Sequence, residues 1–257
     1  MVLKALLSIM CLFLALNHCV AQSNAELQRQ LVFRALDRGP VFTLLGDLKP
    51  MSSDIWQFRL DSPDLDLEMV DRVRRQMSVF NDDRSYGDVI TITHTLKTVE
   101  KRELQAVVFD RIALAKTLKR HATFFGKYGI TESSHPLHVA VTVEHMSTID
   151  RERGYGYLFG YPDHAVDFFC DARQKWTDSG EFVKRDFVSI QTYGPNGTAW
   201  AVPKGQQEHA ENKQFVRRAE EINEVYRRLR NLCGDDHAKL LGLVREWKAS
   251  NLGPTAK

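Results

Sequence analysis

Aromatic side chains occupy every second position of one short segment, residues 154–162, whose sequence is GYGYLFGYP. In an extended chain, successive side chains point to opposite faces, so the rings would share one face and the glycines would leave the other nearly bare. Rings that carry tyrosine hydroxyls suit the recognition of a sugar ring, a planar molecule or a peptide. A core strand whose glycines let a helix pack closely is the alternative interpretation.

Charged residues lie on both sides of this aromatic segment. Arg151 and Arg153 precede it, and a guanidinium can bind a carboxylate or phosphate through paired hydrogen bonds. After it, Asp163 predicts the start of a helix on which His164 and Asp167 share one side. These two side chains could bind a divalent cation or hold a general base. A solvated face with acids near the helix N-terminus is the alternative.

We expect these groups to form one ligand-binding cleft over residues 151–167. Its predicted ligand-binding residues are Arg151, Arg153, Tyr155, Tyr157, Tyr161 and His164. Tyrosine and arginine together suit recognition, because they stack on a planar group and hydrogen-bond its polar edge. The ligand class stays open among a small molecule, a glycan and a peptide.

A second candidate site follows from Glu144 and His145. The segment 137–145, LHVAVTVEH, alternates as a strand does, and active-site groups often emerge into loops at strand ends. The alternative function is therefore a hydrolase in which Glu144 or Asp167 acts as the base and His164 or His145 assists. Whether the chain is an enzyme stays open, because it contains no Gly-x-Ser-x-Gly elbow, Walker loop or dinucleotide fingerprint.

We predict no metal and no cofactor. On a strand, His135 and His138 would point to opposite faces, and Glu144 would lie about 20 Å from His138. Neither Cys170 nor Cys233 has a second cysteine or a histidine at zinc-finger spacing. In an oxidising compartment these two cysteines could form a disulfide bond, and two buried thiols are the alternative.

The first 21 residues differ from the rest of the chain. Lys4 is their only charge, residues 5–16 are apolar apart from one serine, and Ala21 precedes a polar stretch. This pattern is typical of a secretory signal that is cleaved after Ala21, which predicts a secreted or periplasmic protein. Lipid attachment at Cys19 and a buried N-terminal helix are the alternatives. The apolar run is shorter than the roughly 20 residues of a membrane-spanning helix, and no later segment is long enough.

Composition narrows the class of protein further. The 257 residues are 43% hydrophobic and 26% charged, as in ordinary globular proteins. A net charge of +2 argues against the concentrated basic surface that nucleic-acid binding needs. Residues 22–257 are expected to form a single domain.

Helical and strand patterns are mixed without strict alternation, which predicts an α+β fold with a mixed, mostly antiparallel sheet, flanking helices and a C-terminal helical hairpin. The predicted helices cover 24–37, 66–80, a segment from the cap Asp110 to Gly126, 163–177, and two final segments joined by Gly234-Asp235-Asp236. The predicted strands cover 41–45, 88–98, 103–109, 137–145, 186–193 and 198–203. Turns are expected at Glu100-Lys101-Arg102 and at Gly194-Pro195-Asn196-Gly197.

Overall fold

The computed structural model describes residues 24–61, 66–96 and 99–252, so the predicted signal peptide lies outside the described residues. The helices are 24–36 (α1), Val41–Leu44 (α2), Leu67–Met77 (α3), Arg111–Arg120 (α4), Ala122–Phe125 (α5), Pro136–Glu144 (α6), Thr148–Leu158 (α7), Asp163–Ser179 (α8), Ala210–Cys233 (α9) and His237–Asn251 (α10). The strands are Met51–Ser52 (β1), Gln57–Arg59 (β2), Ser85–Leu96 (β3), Val99–Asp110 (β4), Arg185–Ile190 (β5) and Thr198–Pro203 (β6). None of these helices combines the length and apolar character needed to cross a membrane.

The strands form two antiparallel sheets, which confirms the α+β class. In the first sheet, β4 pairs along its length with β3 and on its other edge with β1 and β2. The predicted hairpin is therefore present, but Glu100-Lys101-Arg102 belong to β4 instead of forming its turn, because Leu96 pairs with Val99. The second sheet is the predicted hairpin of β5 and β6. At the C-terminus, α9 and α10 form the predicted helical pair.

The first sheet is buried on both faces. Leu104, Ala106 and Val108 of β4 belong to one apolar cluster, which includes residues of α1, α2, α3, α9 and α10. Val107 and Phe109 belong to a second cluster, which includes residues of α4, α6, α7 and α8. Successive side chains of a strand point to opposite faces, so alternate residues of β4 enter different clusters. The sheet thus separates two cores.

Two predicted strands are wrong, because both segments are helices. Residues 41–45 are a buried apolar run, and such a run does not distinguish a strand from a buried helix. Residues 137–145 form most of α6, which begins with Pro136 after His135 accepts a hydrogen bond from the Leu137 amide. Proline favours the first position of a helix because its fixed φ suits the helix and its missing N–H needs no partner. Tertiary packing here outweighs the strand preference of three valines.

The aromatic segment is also helical over most of its length, so the extended conformation predicted for 154–162 is wrong. It contributes the last turns of α7, and close packing explains two of its glycines. A Cβ atom on Gly154 would lie 2.9 Å from a methyl of Val143, and one on Gly156 would lie 2.8 Å from a methyl of Val166. The two glycines therefore let α7 approach α6 on one side and α8 on the other.

Cys170 and Cys233 are not joined by a disulfide bond. Both are buried free thiols, and they belong to different apolar clusters. Burial raises the pKa of the Cys170 thiol to about 11, so its reactive thiolate is scarce at neutral pH.

We expect iodoacetamide to leave Cys170 unmodified in the native protein and to alkylate it after unfolding in guanidinium chloride. Cys233 lies at the end of α9, where local opening costs less, so it should react sooner than Cys170. Peptide mapping by mass spectrometry measures both. A disulfide-linked peptide, or equal native reactivity of the two thiols, would contradict this expectation.

Candidate functional site

A cavity of about 700 Å³ lies between the two sheets. One side is formed by Met51 and by Ile92, Thr93, His94 and Gln105 of the β3–β4 hairpin. The opposite side is formed by β5 and β6, and α7 and α8 complete the wall. The lining is predominantly apolar, so the cavity provides an environment in which a nonpolar molecule loses contact with water.

Four aromatic side chains follow one another along the cavity wall. Tyr155 and Phe159 lie one helical turn apart and stack, with ring centroids 5.7 Å apart and an interplanar angle of 17°. Phe159 is 6.0 Å from Tyr161, which in turn stacks on Trp200 of β6 at 5.8 Å and 28°. The Trp200 indole N–H is held by the Asn212 side chain at 3.1 Å. The aromatic wall is therefore supported from both sides of the cavity.

Glu144 and Arg151 form a polar group at the wall of this cavity. Glu144 is buried, and its Oε1 accepts a hydrogen bond from the Thr93 amide at 2.5 Å. Its Oε2 accepts a hydrogen bond from the Tyr155 hydroxyl at 2.6 Å, and Arg151 Nη1 lies 3.7 Å from Oε1. Burial and the neighbouring carboxylate raise the pKa of Tyr155, so its hydroxyl stays protonated and acts as a donor.

Glu152 adds a second carboxyl group to the wall. Its Oε1 lies 3.3 Å from Arg173 Nε, while its Oε2 is buried without a hydrogen-bond partner among the residues that the structure describes. Burial raises the pKa of Glu152. When protonated, such a group donates one hydrogen bond, and when ionised it only accepts.

The mouth of the cavity carries exposed aromatic residues. Phe187 on β5 is 60% exposed and Phe169 on α8 is 38% exposed, and both line the cavity. Arg185, two residues before Phe187 on the same strand, lines it as well. Exposed apolar side chains grouped at a cavity are typical of a binding surface.

The structure brings only some of the predicted ligand-binding residues to this cavity. Arg151, Tyr155 and Tyr161 line it, whereas Arg153, Tyr157 and His164 do not. Residues two apart on a helix point about 200° apart, so Tyr155 and Tyr157 lie on different sides of α7.

Tyr157 belongs to the interior on the other side of α7. Its ring stacks on the His121 imidazole, with centroids 3.7 Å apart and an interplanar angle of 10°. Arg153 donates to the Tyr157 hydroxyl at 3.3 Å and also forms an ion pair with Asp167. These contacts hold α7 against α4, α5 and α8, so they give Tyr157 a packing role.

His164 faces the start of α9 instead of the cavity. Its Nδ1 lies 3.0 Å from Glu211 Oε2, and its ring centroid lies 3.9 Å from that of His209. These three side chains each offer one ligand atom within 4.8 Å of the others, so they are a set that could hold a metal ion. This set is not visible in the sequence, because His209 and Glu211 lie at the start of α9, more than 40 residues after His164.

Of the four residues predicted to serve a hydrolase, Glu144, His145, His164 and Asp167, the cavity is lined by Glu144 alone. Glu144 lies in the cavity wall, but its contacts are Thr93, Tyr155 and Arg151. His145 is exposed and does not line the cavity, and Asp167 is exposed beside Arg153.

Sequence reasoning also missed Lys49, which lies directly behind the aromatic wall. Its Nζ is 5.5 Å from the Phe159 centroid and 5.7 Å from the Tyr161 centroid. It lines a second cavity of about 260 Å³, which shares Ser53, Phe159, Tyr161 and Ala199 with the first. No pattern of spacing or composition around Lys49 in the sequence indicates this position.

Comparisons of the chain with protein-family models, with curated proteins and with solved structures found no match.

Proposed function

We propose that this protein binds a small, largely apolar molecule with a flat ring system in the cavity between its two sheets. The observation that carries this proposal is the wall of four aromatic side chains along a cavity of about 700 Å³: Tyr155, Phe159, Tyr161 and Trp200. Small-molecule sites in proteins typically have roughly 300–1,000 Å³ and an apolar, aromatic lining with a few polar groups.

The lining also favours a small molecule over a glycan or a peptide. Each hydroxyl or amide that a ligand buries needs a hydrogen-bond partner, and the wall of this cavity is mostly carbon. Its polar side chains, such as Arg151 and Glu152, can orient a ligand with one or two polar groups. Export through residues 1–21 stays a prediction, and with it the place where binding would occur.

Binding is favoured over hydrolysis by the surroundings of Glu144. Both of its oxygens already accept hydrogen bonds from within the protein, and Arg151 lies beside it. The histidines predicted to assist it, His145 and His164, do not line the cavity, so the predicted acid–base pair is not assembled at its wall. Glu144 instead connects α6 to β3 and fixes the orientation of Tyr155, which supports a role in shaping the cavity.

Substitution of Ala199 by phenylalanine should close this cavity. Ala199 is an exposed residue of β6 that lines the cavity, and phenylalanine suits a strand, so the variant is expected to fold. With the neutral fluorescent probe N-phenyl-1-naphthylamine, we expect wild-type protein to bind and Ala199→Phe to weaken binding about tenfold or more, which corresponds to about 1.4 kcal/mol.

The control is Thr177→Phe. Thr177 is an exposed residue near the end of α8 and does not line the cavity. The control should keep the wild-type affinity to within about twofold, a difference well below 1 kcal/mol. Equal binding by Ala199→Phe and Thr177→Phe, or no binding by wild-type protein, would overturn the proposed function.

A further inference from the structure

Lys49 is an unusual lysine because it is buried without a counter-ion. Only 5% of the residue is exposed, and the contacts that its Nζ makes among the residues that the structure describes are with the rings of Phe159 and Tyr161, not with a carboxylate. Buried charges in proteins are ordinarily paired, since an unpaired one loses its hydration without compensation. An ammonium in this state has unused capacity to bind an anion.

The aromatic wall compensates the charge of Lys49 only in part. The faces of Phe159 and Tyr161 attract a cation at the observed distances of 5.5 and 5.7 Å. Burial nevertheless lowers the pKa of Lys49 to about 8, and the charge of Asp54 opposes that shift only weakly. Asp54 itself lies 3.3 Å from Arg38, so its carboxylate already has a partner.

The second cavity provides space for an anionic group beside Lys49. It is lined by Lys49, Ser53, Asp54 and Thr198, among others, and has a volume of about 260 Å³. Asp54 on its wall would repel a second negative charge, and a single ammonium neutralises one. A carboxylate therefore fits this space better than a doubly charged phosphate.

The two cavities adjoin at Phe159 and Tyr161, which line both. A group attached at that end of a molecule on the aromatic wall would enter the second cavity, which Lys49 lines. We infer that the ligand is a monocarboxylic acid whose apolar body occupies the large cavity and whose carboxylate binds Lys49. This inference rests on the proposed function and narrows it from apolar molecules to organic acids.

A matched pair of probes tests the inference: 1-pyrenebutyric acid and 1-pyrenebutanol share the ring system and the chain and differ in the charged end. Wild-type protein should bind the acid about tenfold more tightly than the alcohol, because a charge-assisted hydrogen bond is gained only with the acid. Lys49→Met, which keeps a flexible apolar side chain of similar length, should remove this preference and leave the affinity for the alcohol within about twofold.

Lys119→Met is the matched control, because Lys119 is an exposed lysine on α4 and its loss changes the net charge equally. It should keep the preference for the acid. If Lys49→Met binds the acid as tightly as wild-type protein does, the assignment of Lys49 is overturned, whereas the proposal that the large cavity binds an apolar molecule is unaffected. If wild-type protein binds neither probe, the proposed function itself fails. Should Lys49→Met not fold, the acid-to-alcohol ratio of wild-type protein decides, and equal affinities overturn the inference.

Discussion

Replacing Asp110 by alanine is expected to lower the free energy of unfolding by about 3–5 kcal/mol, the usual result of removing one partner of a buried ion pair. The Asp110 side chain is fully buried at the end of β4, and its Oδ1 accepts hydrogen bonds from two backbone amides at the start of α4. Its Oδ2 lies 3.0 Å from Arg84 Nε and 2.8 Å from Lys248 Nζ. Lys248, on α10, also donates to the Thr43 carbonyl at 2.6 Å. One carboxylate thus connects the sheet to α4 and, through Lys248, to α2 and α10.

Asp110→Ala removes both a buried charge and a helix cap, and urea unfolding of two further variants distinguishes the free-energy cost of each. Asp66→Ala removes an exposed cap of α3, where the side chain accepts from the Met69 amide at 2.9 Å, and should cost about 1 kcal/mol. The double variant Asp110→Ala/Lys248→Met should recover part of the lost stability. In Asp110→Ala alone, the buried Lys248 ammonium keeps the Thr43 carbonyl as a hydrogen-bond partner but has lost its carboxylate, and the second substitution removes this unpaired charge. Equal losses for Asp66→Ala and Asp110→Ala would contradict this account.

The contribution of Asp110 should also depend on pH. Burial raises the pKa of this carboxyl group, but Lys248, Arg84 and the hydrogen bonds to it lower the pKa more, so it lies below the ordinary value. A carboxyl group with a lowered pKa contributes stability above its ordinary pKa of about 3.9, and this contribution is lost as the pH falls through the folded-state pKa. The difference in stability between wild-type protein and Asp110→Ala should therefore shrink in strong acid.

Gly160→Ala is expected to destabilise the protein by about 2–4 kcal/mol, since a left-handed backbone costs a non-glycine residue roughly 1–2 kcal/mol before any clash. Gly160 has a φ of 72°, and a Cβ atom there would lie 2.5 Å from the Leu48 carbonyl oxygen and 3.2 Å from Lys49 Cα. Backbone atoms cannot rotate away as a side chain does. The chain around Lys49 would have to move, and the two cavities with it.

Gly180→Ala is the control for the cost of placing alanine in a left-handed backbone conformation without a clash. Gly180 has a φ of 70° and no neighbouring atom within 4 Å of its ideal Cβ position. In the same urea unfolding experiment, its free energy of unfolding should fall only by the cost of the left-handed conformation, about 1–2 kcal/mol. Gly160→Ala should in addition bind 1-pyrenebutyric acid more weakly, while Gly180→Ala should not. An equal loss of stability at the two positions would show that the contact with Leu48 has no energetic consequence.

Under the proposed function, the ligand would lie between the two sheets, with α7 and α8 completing the wall of the cavity. The β3–β4 hairpin contributes one wall, and the β5–β6 hairpin contributes the other with Trp200. Since the lining includes residues of both sheets, of α7 and of α8, a ligand that fills the cavity would contact all of them. A bound molecule should therefore raise the thermal stability of the protein as well as occupy the site.

Much of the secondary structure followed from local patterns in the sequence. Val70, Val73 and Met77 recur at helical spacing and form the buried side of α3. The predicted hairpin with 198–203 is also present, although its first strand is Arg185–Ile190 and not 186–193. The cap at Asp110 was also predictable, because an aspartate before a helix accepts hydrogen bonds from its first amides. Such signals act over a few residues, so the sequence alone is enough to reveal them.

The identity of the site depended on the tertiary structure. Residues 137–145 and 154–162 alternate as strands do, yet packing against the sheet and close helix contacts at Gly154 and Gly156 make them helices. In a helix, side chains two residues apart point in different directions, so Tyr155 lines the cavity and Tyr157 lies in the core. Lys49 and Trp200 are distant from this segment in the chain, and the fold alone brings them to it. Local propensity differences amount to less than about 1 kcal/mol per residue, so the burial of whole faces decides which of two local patterns is formed.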